Sequence, residues 1–279
     1  MYSTSDPATR YLSVEAPQRD TCLHVLGVGS WDSNRGRIVT AEDYSQYVAF
    51  DNLEAMFARR HGLYCGYLEI EAHGLKVTNC HIGCIGVRGG SSAYGVAAWH
   101  SDMLIQNNIF HDCGRRAVSL NTYTKETPGL TVRNNIIFGT LDYAGGANDA
   151  RCVLSTDGTT FSTRDHNLYF QADPEQPFSG SDPSGGEGWD NFMSDWDEWK
   201  AKTGWEAHGS KPQNPLFVDI ARKNFRLRPG SPAIGAGVPV PVLNFDIEGR
   251  PYDRASPSIG AYEYAPAMIP AMYYLLLNQ

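Results

Sequence analysis

Apolar and polar residues alternate with a period of two in short stretches that recur along the chain. "LKVTNCHIGC" begins at Leu75, "MLIQNNIFHDC" at Met103 and "LTVRNNIIFGT" at Leu130. Aligned on their asparagines, they bring Asn79, Asn107 and Asn134 into register at spacings of 28 and 27 residues. A degenerate fourth copy, "FSTRDHNLYF" from Phe161, puts Asp165 or His166 in the same slot. Leu75/Val77, Met103/Ile105 and Leu130/Val132 point one way; Lys76/Thr78, Leu104/Gln106 and Thr131/Arg133 point the other. That is strand alternation and not a helical stripe.

Further short strands lie between the copies: "YLEIEA" (Tyr67–Ala72), "GVAAWH" (Gly95–His100), "AVSLNT" (Ala117–Thr122) and "RCVLST" (Arg151–Thr156). Each period therefore holds about three strands and tight turns, the signature of a repeat architecture. Strands that return to one register every turn stack in parallel. Asparagine tolerates the left-handed backbone of a sharp turn, and its amide can bond the asparagine one rung away. The expected fold is all-β: a right-handed parallel β-helix (a solenoid), with Asn79, Asn107 and Asn134 at one corner and Val77, Ile105 and Val132 in one inward column.

From about Phe170 the pattern changes. "ADPEQPFSGSDPSGGEG" is a loop rich in Pro, Gly and Ser. "WDNFMSDWDEWKAKTG" is a short helix candidate, with Trp189, Phe192, Trp196 and Trp199 on one face and Gly204 as its stop. The tryptophans suit either a sugar platform or a cap on the open end of the coil, which would otherwise expose strand edges. Residues 1–170 are thus expected to form the rungs, and 171–279 an irregular, Trp-rich C-terminal cap with a short helix and closing strands in "NFRLRPGSPAIGAG" and "SIGAYEYAP". The apolar tail "MIPAMYYLLLNQ" suits packing along the coil or homo-oligomer formation.

Composition narrows the partners. With 23 Lys and Arg against 31 Asp and Glu, the net charge of −8 disfavours nucleic acid, whose phosphates need basic side chains. No apolar run nears the ~20 residues of a membrane helix. The opening "MYSTSDPATRYLSVEAP" has no signal-peptide pattern, which leaves localisation open between the cytoplasm and an extracellular or virion-associated product. The six cysteines contain no CxxC pair and read as buried free thiols. No cofactor or metal motif is present, and the loop "DYAGGANDAR" lacks the regular acid spacing of a calcium repeat.

Candidate chemistry sits on exposed strand faces. If Leu68 and Ile70 point inward, Glu69 and Glu71 point out, along with Ala97, Trp99, Ser119, Asn121, Arg151 and Ser155. Two carboxylates two residues apart on a strand lie about 6.5–7 Å apart at their Cα atoms, a spacing compatible with inverting glycoside hydrolysis. Trp99 could stack a sugar, and His100 and Asp102 could assist; the same glutamates also suit a plain solvated face. Arg115 or Arg116, with Tyr123, Lys125 and His111, could instead serve β-elimination, a cation neutralising a uronate while a base takes the C5 proton. Asn121, Tyr123, Trp99 and Arg151 are candidate substrate contacts. "HDCGRR" equally suits a rung corner.

"ATRYLSVEAP" and "GSWDSNRGRIVT", the repeats, then "DHNLYF", "WDEWKAKTGWEAHGS", "NPLFVDIARKNFRLRPGSPAIGAG" and "DIEGRPYDRASPSIGAYEY" together resemble right-handed parallel β-helix repeat proteins of the phage and environmental type. The resemblance covers most of the chain. It implies the fold of polysaccharide lyases and glycoside hydrolases, which epimerases and inert fibres share. The expected function is polysaccharide recognition with cleavage. The competing expectation is a non-enzymatic virion or surface protein that uses the coil as a scaffold.

Overall fold

The computed structural model describes residues 12–14, 23–26, 37–41, 48–56, 61–65, 72–85, 94–113, 116–121, 130–139, 154–155, 163–172, 178, 180–181, 192–241 and 243–266. The alternating stretches are strands, and they stack in parallel. One sheet aligns Val48–Asp51, Ala72–Thr78, the second half of Tyr94–Gln106, Thr131–Arg133 and Thr163–Asp165. A second runs in chain order through Leu23–Leu26, Leu53–Met56, His81–Ile85, Ile109–Cys113, Ile136–Gly139 and Leu168–Gln171. A third contains Arg37–Ala41, His61–Cys65, the first half of Tyr94–Gln106, Arg116–Asn121 and Leu154–Ser155.

Left-handed residues mark where the chain turns between sheets. Asn52, Asn79, Asn107, Asn134 and His166 all have φ between 51° and 57°, so His166 holds the asparagine slot in the fourth copy. Asp102 (φ 53°) and its register partner Gly74 (φ 72°) mark the turn inside Tyr94–Gln106. Asp112 (φ 48°) turns the chain after "NNIFH". Asn and Asp accept this backbone better than other side chains do because their short polar groups bond locally.

Val77, Ile105 and Val132 are register partners, fully buried in one column. A second column, Ala55–Ile82–Phe110–Ile137–Tyr169, faces it from the next sheet. Cys65, Cys80 and Cys113 are buried in this core. The second asparagine of each pair lies inside the turn and builds a ladder. Asn108 N and Nδ2 donate to Asn135 Oδ1 at 3.1 and 2.9 Å. Asn135 N and Nδ2 donate in turn to Asn167 Oδ1 at 3.0 and 2.9 Å. Each rung thus answers the buried backbone amide of the rung before, a group that would otherwise cost about 1–3 kcal/mol unpaired.

The ladder ends on Glu206, which is fully buried. Its Oε2 accepts Asn167 N at 3.0 Å, and Oε1 accepts Asn167 Nδ2 at 2.8 Å and Tyr169 Oη at 2.7 Å. Arg164 faces it at 3.9 Å, with its guanidinium 4.8 Å from Trp199 and 4.5 Å from Trp205. Of the expected short helix, Trp196–Thr203 is helical, capped by Asp195 at its start and by left-handed Gly204 at its end; Phe192 lies instead in the two-residue strand Phe192–Met193, and Trp189 lies outside the described residues. Trp196 and Trp199 leave the helix to pack on Phe178 and Tyr169 over the last described rung.

The following segment covers the outer face of the second sheet. Ile109, Ile136, Phe138 and Leu168 form a second core with Phe217, Phe225, Leu227, Ile247 and Ile259. "NFRLRPG" supplies a strand, Asn224–Leu227, antiparallel to Phe217–Asp219. "SIGAYEY" forms bends and irregular backbone instead of the expected strand. Its Ile259, Ala261 and Tyr262 are buried one after another, so the segment packs without the regular alternation of a strand.

Two expectations about the third sheet are corrected. The strand in register with Gly95–Ala98 is His61–Cys65, not Tyr67–Ala72: Leu63 pairs with Val96, Tyr64 with Ala97 and Cys65 with Ala98. Ala97 and Ser119, expected to face outward, are buried. His61–Cys65 is buried at every position, and a strand covered on both faces has no polar alternation to reveal it.

Candidate functional site

The outer corner asparagines do more than turn the chain. Asn134 grips the backbone of Val238 twice, accepting its N–H at 3.0 Å and donating to its carbonyl at 2.7 Å. Two rungs away Asn79 Nδ2 donates to the Phe245 carbonyl at 2.8 Å. The Tyr252 hydroxyl lies 2.9 Å from Asn79 Oδ1 and 3.0 Å from the Gly260 carbonyl. Asn107, between the two clamps, accepts from Asn134 Nδ2 at 3.2 Å and lines the same groove as Tyr252. Burial pushes that phenol well above its ordinary pKa, and Asp246 adds to the effect, so it stays a neutral donor.

Close approach at this corner depends on two glycines. A Cβ on Gly237 would come within 2.9 Å of the Pro257 carbonyl and 3.2 Å of Asn134 Oδ1. Gly260 has φ 99°, and a Cβ there would meet Ile136 at 2.8 Å. Both let the closing segment lie directly on the rungs.

Where that segment arches between Val238 and Pro257, it leaves a half-open groove of about 490 Å³ over Asn107 and Tyr252. Pro239, Pro241, Pro251 and Pro257 give it stiff apolar walls. Phe245, 38% exposed, supplies an aromatic ring, and Asn244, Asp253 and Arg254 supply polar groups at the opening. Asp253 accepts the backbone amides of Ala255 and Ser256 at 2.8 and 2.9 Å, which hold its carboxyl below the ordinary range and therefore ionised. An apolar wall facing a few fixed donors and acceptors suits a ligand with one apolar face and a polar edge.

None of the described candidate site residues selected from the sequence lines the groove. Trp99 and Asn121 are register partners on adjacent strands of the third sheet. His100 pairs with Ala72 along the same long strand, and Asp102 is exposed at the turn that follows. Arg116 is fully buried, its guanidinium 5.5 Å over the Tyr94 ring, and Tyr94 stacks in turn on His61 at 5.2 Å. Glu69, Glu71, Tyr123 and Arg151 lie outside the described residues.

Sequence reasoning treated Asn107 as a turn residue and passed over Asn244, Phe245, Asp253 and Arg254. The available signal was the cluster of turn formers in "NFDIEGRPYDRASP", where Pro251 and Pro257 bracket Asp253. No protein-family model matches the sequence, and no curated protein is significantly similar to it.

Proposed function

We propose that the chain is a right-handed parallel β-helix that recognises a polysaccharide on its surface, with one sugar-binding position in the groove over Asn107. The groove is the observation that carries this reading. Phe245 and the proline rings offer an apolar face for a pyranose ring, while Asn244, Asp253 and Arg254 can bond its hydroxyl edge. Arg254 beside the opening also suits a uronate carboxylate. Among the described residues the groove lining includes a single carboxylate, Asp253, whereas hydrolysis between two carboxyls needs a pair. In this proposal the groove binds, and cleavage falls to Glu69 and Glu71.

The test is incubation of the full chain with a panel of neutral and acidic glycans, reading binding, new reducing ends and the absorbance of new double bonds. Phe245→Ala should weaken binding about tenfold or more, since losing the burial of a Phe side chain against the ligand costs roughly 1.5–3 kcal/mol. New reducing ends that disappear in Glu69→Gln or Glu71→Gln would assign hydrolysis to that pair. Failure to bind any glycan would overturn the reading in favour of a structural module.

A further inference from the structure

Asp165, His166 and His208 converge at the edge of the last described rung, away from the groove lining. Asp165 ends the strand Thr163–Asp165, and His166 follows in the left-handed corner position. His208 arrives from the turn just after Glu206, 43 residues farther on. The Asp165 carboxylate is divided between two tasks. Its Oδ1 accepts the backbone amides of His166 and His208, each at 2.9 Å, which locks the group in place. Its Oδ2 faces both imidazoles, 2.6 Å from His208 Nδ1 and 3.5 Å from His166 Nδ1. The rings stack with centroids 5.2 Å apart, and the donor atoms all lie within 4.8 Å of one another.

We propose that these three side chains bind one divalent transition-metal ion of the zinc class, and that this inference stands independently of the glycan reading. Two imidazole nitrogens and one carboxylate are donors that zinc, nickel and copper prefer and that calcium does not. Metal–ligand bonds of about 2.0–2.1 Å in a tetrahedron set neighbouring donors about 3.3 Å apart. The His166–Asp165 separation already meets that distance. The His208–Asp165 contact must open by about 0.7 Å to reach it, from the 2.6 Å it now holds. His208 can supply that movement, because its side chain is 72% exposed and Asp165 and His166 are only 16% and 21% exposed.

The protons balance simply. A neutral His208 that donates from Nδ1 to Asp165 shifts its proton to Nε2 when the metal takes Nδ1, and a protonated His208 releases one to solvent. Three protein ligands leave a fourth position for water. The ion would also tie the closing segment to the rungs, since His208 belongs to one and Asp165 and His166 to the other.

The test is calorimetric titration of zinc chloride into the full chain, freed of affinity tags and stripped with a chelator, alongside thermal melting with and without zinc. One ion should bind per chain, and zinc should raise the melting midpoint. His208→Ala should weaken binding at least tenfold and abolish the midpoint shift, while lowering the metal-free midpoint by no more than about 2 °C, because the bond it loses to Asp165 is largely exposed. Absence of saturable zinc binding, binding that survives both His208→Ala and His166→Ala, or equally tight binding of calcium would each overturn the assignment.

Discussion

Replacing Glu206 with alanine probes the end of the asparagine ladder. The substitution removes the acceptor for Asn167 N, Asn167 Nδ2 and Tyr169 Oη, all buried. Each donor stranded without a partner costs about 1–3 kcal/mol. It also takes the countercharge from Arg164, and breaking a buried pair on one side costs about 3–5 kcal/mol. These costs overlap. Asn167 Nδ2 keeps its bond to the Val132 carbonyl at 3.0 Å, and the Arg164 guanidinium keeps Trp199 and Trp205. Water entering the vacated space would relieve more, so a net loss of about 5 kcal/mol is expected. In a chain of this length about 1 kcal/mol moves the melting midpoint by roughly 2 °C, so the midpoint should fall by about 10 °C.

Urea denaturation followed by tryptophan fluorescence reads the same loss near the altered site, because Trp199 and Trp205 flank Arg164. Glu206→Gln separates charge from hydrogen bonding. Burial raises the folded-state pKa of Glu206 more than Arg164, Tyr169 and Asn167 lower it. For a carboxyl raised in this way, the associated stability is full below its unfolded pKa and declines as pH rises through the folded value. The wild type should therefore gain stability relative to Glu206→Gln as pH is lowered across that window. An alanine variant within 1 kcal/mol of the wild type would refute the role of Glu206 as the ladder's terminus.

Three further outcomes follow from the same structure. Ile105→Asp places an unpaired charge in a fully buried column and should yield no folded protein by circular dichroism. Asn135→Ala strands Asn108 N and leaves a gap between Ile105 O and Asn167 Oδ1, and should cost about 3 kcal/mol in urea titration. Burial raises the Asp165 carboxyl, but hydrogen bonds from His208 and His166 outweigh it and hold the group below its ordinary pKa. Its contribution is therefore complete above the unfolded carboxylate pKa and lost as pH falls through the folded one, a loss that Asp165→Asn should remove from the acid limb of a stability–pH curve.

What was legible in the sequence depended on repetition. Leu75/Val77, Met103/Ile105 and Leu130/Val132 announce one face at a fixed period, and all six are buried. The left-handed corner of Asn79, Asn107 and Asn134 followed from their residue type and is present at each. His61–Cys65 was invisible because both of its faces are covered. Glu206 gave no signal either: a single glutamate in a loop acquires its role only by meeting Asn167, 39 residues earlier. Asp165 and His208 meet across 43 residues for the same reason. The groove was hidden because its walls are turns and prolines, which carry no period. Local pattern reports an element that repeats, but it cannot report which loop returns to cap it.

The groove and the rungs share one set of side chains, and that constrains what the groove can hold. Asn79 and Asn134 clamp the closing segment at Phe245 and Val238, and Asn107 lies on the rung between them. Adjacent strands stand about 4.8 Å apart, so the two clamps are fixed about 9.6 Å apart along the stack by backbone hydrogen bonding. Widening that interval would break rung pairing, which makes the floor of the groove rigid. Its walls are less constrained: Pro239, Pro241 and Asn244 are exposed and lie outside the rung strands. Substitutions there can change which ligand fits without disturbing a core column, whereas a change at Asn107 alters floor and rung together. On the proposed reading, selectivity would therefore be carried by the described wall residues between 238 and 257, and the stacked strands would set only the ligand's position.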